Sequence, residues 1–485
     1  MRKNQWTISL NNFGGFAPKY YENSYPTYGN KSQAAYMKNI NLLDPTVLAP
    51  GKTPTALTNG TQAGAVTTLI KGILKQGITA TTSYAIGGNL LYKFSSTEVI
   101  DDATWPVTID KAAVTGEDGE DVCYYKGALF YFYNHSASAG DFGRYDLDAT
   151  FDHDYGSTVP TGAAALSNAP HQAIVGGDDI MYFTNGIYIG YLDGTTLNTQ
   201  ALDFFTDSVV NSIAWNHNRI YAAVNRPNIA GFNHNQSGVY RWNGYSSTWE
   251  GDPIEVNGRI GALLTVNGIT FIWYEGFENG ERRVFFGYLN GGRITVLKTF
   301  TGTLPLYYQV AQMGDYLLWA NGEKIFMYGP LSQELSVKMS YIMTTKYSAP
   351  GGVANTFGSI IEASRSADSS TFQLSKGTDY DTTGYYYSMQ FDVSGLYSKS
   401  EIDEIVIQCE TLAANARVDF TLRDNAGTAL WTDSLSYATD GAVRRKIFNP
   451  RVTTDNFRLE VSNANGNATN AVKIRGAFLS GHYIK

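Results

Sequence analysis

Six histidines are the first residues to test for chemistry: His135, His153, His171, His217, His234 and His482. A zinc site needs several nitrogen or sulfur ligands converging, and its sequence signatures set two of them close together with others nearby. No two of these histidines are so placed with a third within reach, and no His-Glu-x-x-His occurs. His217 and His234 flank a hairpin around Ile220-Tyr221, and all six read as exposed or hydrogen-bonded loop residues. Asp141, Asp146, Asp148, Asp152 and Asp154 form the strongest metal candidate, since calcium takes about six to eight oxygen ligands. Their spacing is not that of an EF-hand and no glycine stands at its turn, so an ordinary solvated acidic loop is expected. Glu117-Asp-Gly-Glu-Asp121 reads the same way. No Gly-x-Ser-x-Gly elbow, phosphate-binding loop or dinucleotide fingerprint stands in a strand–turn–helix context. The residues therefore nominate no catalytic, cofactor-binding or metal-binding set, imply no cofactor, and lead to the expectation that the protein is not an enzyme.

The aromatics are a second source of chemistry. Tyr385-Tyr-Tyr387, Tyr240, Trp242 and Trp249 could stack on sugar rings. Alternation assigns Tyr385 and Tyr387 to the core and Tyr386 to the outside, so blade or core packing is expected before a glycan platform. Val239-Tyr-Arg-Trp-Asn-Gly-Tyr-Ser-Ser-Thr-Trp249 resembles a kelch or sialidase-type blade motif, but it lacks the Asp of an Asp-box and occurs once. The paired His and Tyr copper ligands of kelch-type oxidases have no counterpart here.

The elements that would position these residues repeat. An aromatic-rich strand, a tight polar or glycine turn and a second such strand recur with turn centres near 88, 127, 177, 217, 267 and 314. Tyr84-Ala-Ile-Gly-Gly-Asn-Leu-Leu-Tyr92 and Ala262-Leu-Leu-Thr-Val-Asn-Gly-Ile-Thr-Phe271 show the phrase. Gly87-Gly88, Lys126-Gly127 and Asn267-Gly268 supply residues that tolerate the positive φ of hairpin turns. Further strands such as Gly238-Val-Tyr-Arg-Trp242 and Val284-Phe-Phe-Gly-Tyr-Leu289 follow and end in turns at Asn243-Gly244 and Asn290-Gly291. A hairpin repeat of roughly 40–50 residues is the mark of a β-propeller, because each small sheet can cover its faces only against its neighbours. Six or seven blades fit six phrases.

Residues 1–55, rich in Gly, Pro, Asn and Tyr, read as an extended N-terminal arm or cap, and residues 56–335 as the propeller. Tyr347-Ser-Ala-Pro-Gly-Gly-Val-Ala-Asn355 reads as a loop at the break. Residues 336–485 then show cleaner period-two alternation, as in Val418, Phe420 and Leu422 or Phe457, Leu459 and Val461, which predicts a jelly-roll-like β-sandwich. The fold class is thus all-β. Charged residues make up only 16% of the 485, and the net charge of −8 argues against a nucleic-acid binder. Cys123 and Cys409 lie in separate strand patterns and read as buried free thiols. The start, Met1-Arg-Lys-Asn-Gln-Trp-Thr, has no apolar signal region, no run is apolar for long enough to span a membrane, and folding in a cytoplasm is expected.

Phe13-Gly-Gly15, Lys38-Asn-Ile-Asn-Leu42, Val47-Leu-Ala-Pro-Gly51, Lys399-Ser-Glu-Ile-Asp-Glu-Ile-Val-Ile407 and Asn456-Phe-Arg-Leu-Glu-Val461 together resemble virion proteins of tailed bacteriophages. In those an N-terminal segment, a propeller and a sandwich follow one another. The resemblance implies a structural virion protein, a ring-forming tail-hub or nozzle subunit. It also implies portal, adaptor, tail or fibre partners, and a tail location after assembly in the host cytoplasm. An acidic lumen would let DNA pass without specific binding. Two other functions follow from the residues: a glycan-binding receptor-recognition protein of the virion, and a propeller glycosidase or lyase. The last needs carboxylates at the channel mouth, and the sequence scatters its carboxylates over loops.

Overall fold

The computed structural model describes residues 5–10, 34–38, 40–41, 47–59, 66–75, 79, 81–111, 116–135, 139–148, 150–158, 166–226, 236–329, 331, 338–380, 383–388, 390–393, 399–464 and 471–484. Two compact units divide the chain: residues 55–323 with 345–376, and residues 1–54 with 324–344 and 377–485.

The first unit is the propeller. Its first blade holds Gly72–Ile73, Ser83–Gly87, Leu90–Phe94 and Glu98–Val99. The second is built on Asp118–Tyr125, Ala128–Asn134 and Ala139–Tyr145. The third, fourth and fifth are complete four-stranded antiparallel sheets. They run through Ala173–Val175, Met181–Asn185, Tyr188–Leu192 and Leu197–Asp203; then Val209–Asn216, Arg219–Asn225, Gln236–Trp242 and Glu250–Asn257; then Ile260–Val266, Ile269–Glu278, Glu281–Asn290 and Arg293–Phe300. The hairpin Val310–Met313 and Tyr316–Asn321 begins a sixth blade, and Ala349–Thr356, Ser359–Arg365 and Phe372–Tyr380 form a seventh. All six turns expected from the repeat are present.

The innermost strands pack in chain order, and the seventh returns to the first. There the Gly352 N–H donates to the Ile70 carbonyl at 3.0 Å and Thr356 Oγ1 to the Leu74 carbonyl at 3.3 Å. Seven blades among the described residues therefore close a ring. Close approach of neighbouring inner strands explains the glycines. A Cβ on Gly72 would lie 2.5 Å from the Asp121 Cα of blade two, and one on Gly352 would run into the Lys71 carbonyl at the seam. The Pro-Gly-Gly composition expected to be a loop is thus an inner strand, bulged between Pro350 and Val353, where a side chain has no room. The repeat continues past residue 335 for the same reason: Phe357-Gly358, both at positive φ, turn the seventh hairpin.

Between blades the core is aromatic. Trp273 and Phe286 of blade five meet Trp319 of blade six, with Phe286 stacked on Trp319 at 4.7 Å. Cys123 and Cys409 are free and buried, as expected.

The second unit contains two antiparallel sheets. One runs Gln5–Leu10, Ile474–Tyr483, Ser400–Cys409, Arg445–Phe448; the other Ala34–Lys38, Thr383–Ser388, Asn456–Ala464, Arg417–Arg423, Ala429–Ser436. Trp6 meets Phe457 and Phe420 meets Phe448 between them, so their faces pack as a sandwich. The described N-terminal strands are therefore not a separate arm: Gln5–Leu10 pairs along its own length with Ala477–His482, and Ala34–Lys38 pairs with Thr383–Ser388. Phe13-Gly-Gly15 lies outside the described residues. Alternation holds at Val418, Phe420 and Leu422, all buried. It has the opposite parity in the tyrosine run: Tyr386 is fully buried while Tyr385 and Tyr387 are half-buried. Period two fixes alternation but not which set faces inward, and that choice depends on register.

Phe286→Ala is expected to destabilise the propeller by about 3–5 kcal/mol through cavity formation, whereas Phe277→Ala on the surface changes stability by only about 0.5 kcal/mol. Denaturant unfolding of the two variants checks the contrast.

Candidate functional site

Two places in the propeller unit gather chemistry. The first lies at the inner strands. Lys71, just before the first inner strand, donates to Asp118 Oδ2 at 2.7 Å and Glu120 Oε1 at 2.6 Å in blade two. Tyr307 donates its hydroxyl to Glu120 Oε2 at 2.8 Å. Asp121 accepts backbone N–H groups of Val122 at 2.9 Å and Ala173 at 3.1 Å, and Lys75 donates to the carbonyls of Val353 and Tyr308. Side chains of blades one and two are thereby tied to backbone or side chains of the third, sixth and seventh. Burial pushes Asp121 up to about 7 even with Lys75 opposing it, and pulls Lys75 down to about 8 even with Asp121 opposing. Burial also raises Glu120 against the pull of Lys71 and Tyr307. Burial works against the Lys71 ammonium, yet Glu120 and Asp118 together hold its pKa above the ordinary value. Asp118 alone reaches water freely, with 52% of its side chain exposed.

The acidic stretch expected to be a solvated loop therefore leads into the strand Asp118–Tyr125, with Glu117 just before it and Glu120 and Asp121 within it all buried. Alternation would have placed Glu120 and Asp121 on opposite faces. A bulge between Gly119 and Asp121 breaks that pattern, and both side chains are buried.

The second place is a groove of about 720 Å³ between blades four and five. One wall is the edge strand Glu250–Asn257, whose Ile254 and Val256 pack toward Tyr274 and Ile294 of blade five; the other carries Tyr274 and Phe285, and Phe277 completes the lining. Tyr274 and Phe285 are cross-strand neighbours with rings stacked at 5.0 Å and 13°. Phe277 is 69% exposed. Gly291 and Gly292, both at positive φ, close the turn that sets Arg293 on the rim. Pro253 lacks an N–H, and with the exposed Glu255 it protects an edge that would otherwise pair with another strand. The groove thus offers an aromatic face with an amide, Asn257, and a guanidinium, Arg293, along its lining, groups that can donate hydrogen bonds in pairs.

Most of the remaining residues singled out by sequence have local partners; His135 is buried against the Tyr133 ring, and its Nδ1 has no hydrogen-bond partner among the described residues. Asp141 is buried against Lys111 and Ser157, Asp146 pairs with Arg144, and Asp148 and Asp152 cap turns through the N–H groups of Thr150 and Asp154. No group of three or more metal-ligating side chains converges among the described residues. His171 is fully buried, its Nδ1 bonded to the Thr184 carbonyl at 2.9 Å, and burial holds it down at about 4. His153 meets the Tyr131 hydroxyl, His482 meets Asp403, and His217 occupies a hairpin turn. His234 lies outside the described residues. Tyr240, Trp242 and Trp249 pack in blade four, Trp242 donating to the Ser246 carbonyl at 2.7 Å. Sequence reasoning missed the groove because its walls come from separate blades; Asn290-Gly-Gly-Arg293 was its one local signal.

No family model and no curated protein matches this sequence. Among solved structures, the chain is similar to an exo-β-1,3-galactanase from Phanerochaete chrysosporium with β-1,3-galactotriose: 10% identity, 89% of this chain, 100% of that chain, TM-score 0.33. It is similar to a glycoside hydrolase family 43 arabinoxylan arabinofuranohydrolase from Bacillus subtilis: 10% identity, 86% and 96% coverage, TM-score 0.30. A third is the BP39L lectin from Burkholderia pseudomallei: 12% identity, 63% and 95% coverage, TM-score 0.43. Two expectations are corrected by these similarities to glycoside hydrolases and a lectin. The reading as a tail-hub subunit lining a DNA conduit does not stand, and neither does the reading as a protein that is not an enzyme.

A carboxyl whose pKa is raised in the folded state binds a proton on folding. Its contribution is greatest below the ordinary value of 3.8 and is lost as the pH climbs to about 7. Asp121→Asn is therefore expected to flatten the fall in stability between these two pH values, read by denaturant unfolding across that range.

Proposed function

We propose that this protein recognises carbohydrate in the groove between the fourth and fifth blades. The observation that carries the reading is the aromatic wall of the groove, Tyr274 stacked on Phe285, with Asn257, the exposed Phe277 and Arg293 along the same lining. A sugar ring has an apolar C–H face and an equatorial rim of hydroxyls. Such a ligand covers the aromatic surface and satisfies the planar groups at the same time. A glycan array followed by titration calorimetry tests this. Phe277→Ala is expected to weaken the bound glycan at least tenfold while thermal stability is kept. Affinity unchanged in that variant removes the groove as the site.

A second reading, glycan hydrolysis at the inner strands, is favoured by Asp118 and Glu120. Both bind the one Lys71 ammonium, at 2.7 and 2.6 Å, which gathers two carboxylates at one place as a glycosidase pair requires. Burial raises Glu120, as a proton donor requires, while Asp118 reaches water as a nucleophile must. Release of reducing ends by the intact protein, lost in both Asp118→Asn and Glu120→Gln, is the expected outcome. Turnover that survives both substitutions discards this reading and leaves the first in place.

A further inference from the structure

The buried carboxyl of Glu120 receives donors from three directions. We infer that Tyr307 and Asn134 are positioning residues for this acid: with Lys71 they occupy all but one of its lone-pair positions and leave that one on Oε2, where the acid carries its proton. The inference rests on the hydrolytic reading of the inner strands and adds the place of the proton and the groups that set its affinity.

The contacts assign the positions. Lys71 Nζ donates to Oε1 at 2.6 Å, and Asn134 Nδ2 donates to the same oxygen at 3.3 Å. Tyr307 donates to Oε2 at 2.8 Å. A carboxylate has about four lone-pair positions, two on each oxygen, so Oε1 is filled and Oε2 keeps one.

Both positioning groups are themselves held. Asn134 donates to the Ala169 carbonyl at 3.1 Å and accepts the Ala169 N–H at 3.2 Å, which fixes its amide with the N–H edge toward Glu120. Tyr307 is buried and opens the short 3-10 turn Tyr307–Gln309. Gln309 accepts the Leu306 N–H at 2.9 Å and donates to the Pro350 carbonyl of blade seven at 2.8 Å, and Lys75 of blade one donates to the Tyr308 carbonyl at 3.2 Å. Donors fixed in this way need no reorganisation when charge appears on the acid.

The other titratable groups facing Glu120 are Asp118 and Asp121 of its own strand and Tyr308 of the turn. Lys71 and Tyr307 favour the carboxylate, burial favours the acid, and burial prevails. Removing the Tyr307 hydroxyl takes away support for the charged form, so the acid then holds its proton more tightly. In the hydrolytic reading the O–H bond at Oε2 breaks and its proton passes to the glycosidic oxygen. The bond from that oxygen to the anomeric carbon breaks as the Asp118 carboxylate bonds to the carbon. The carboxylate left at Glu120 meets its three donors already in place.

Carbon-13 spectra of the intact protein labelled at its glutamate carboxyls test this, with Glu120 assigned by the signal missing from Glu120→Gln. Tyr307→Phe is expected to raise the titration midpoint of Glu120 by about one unit, the effect of one hydrogen bond to a charged group. Asn134→Ala removes the longer bond and is expected to raise it by less, which keeps the test open where Tyr307→Phe fails to fold. Turnover that falls as the pH rises is expected to fall at a correspondingly higher pH in each variant, because the acid stays protonated for longer. A midpoint that stays in place in a folded variant overturns the inference, even where that variant has lost turnover at every pH. A midpoint that rises as expected in a protein releasing no reducing ends upholds the positioning and discards the hydrolytic reading alone.

Discussion

The propeller depends on how closely its inner strands approach one another. At the seam between the seventh and first blades, backbone meets backbone: Gly352 donates to Ile70 and has no space for a methyl group, and Gly72 has none against Asp121 of the second blade. The seam contact closes a ring of sheets, and closure removes the two exposed sheet faces an open stack would leave. A side chain at Gly352 would have to push the first and last blades apart, and one at Gly72 the first and second.

Crowding at the seam also sets the chemistry beside it. Backbone and side-chain polar groups brought that close need partners, and Lys71, Glu120, Asp121, Lys75 and Tyr307 supply them across blades. These groups act as struts, and burial displaces the pKa values of the acids upward and of Lys75 downward. Asp118 differs because it faces water while bound to the same ammonium as the buried Glu120. Farther out the blades diverge. The edge strand Glu250–Asn257 stands off its neighbour far enough to leave a groove, and that space lets Phe277 and Arg293 remain open to a ligand.

The sandwich illustrates a different constraint. Its sheets each take a strand from the beginning of the chain, Gln5–Leu10 in one and Ala34–Lys38 in the other, beside strands from the end. Pairings of that sequence separation leave no local signature, because neither partner strand's pattern names the other. Gln5–Leu10 does carry a period-two pattern, with Ile8 and Leu10 inward, but only its pairing with Ile474–Tyr483 turns that pattern into part of a core.

The order of residues along the chain was enough for the hairpins, since a turn such as Asn267-Gly268 and the apolar strands beside it act over a few residues. It was enough for the all-β class, for the alternation of Val418, Phe420 and Leu422, and for the two buried thiols. It misassigned Ala349–Thr356, because glycine and proline read as a loop unless another backbone is known to lie against them. It left Glu120 and Asp121 in solvent, because a run of acids reads as a loop unless a lysine and a neighbouring blade are known to cover it. The groove was beyond it altogether: Asn257 and Arg293 are ordinary surface residues until two blades bring them to one cleft. Local backbone preference is written in neighbouring residues, whereas burial, charge environment and ligand geometry depend on residues far apart in the chain, and only closing the ring brought those together.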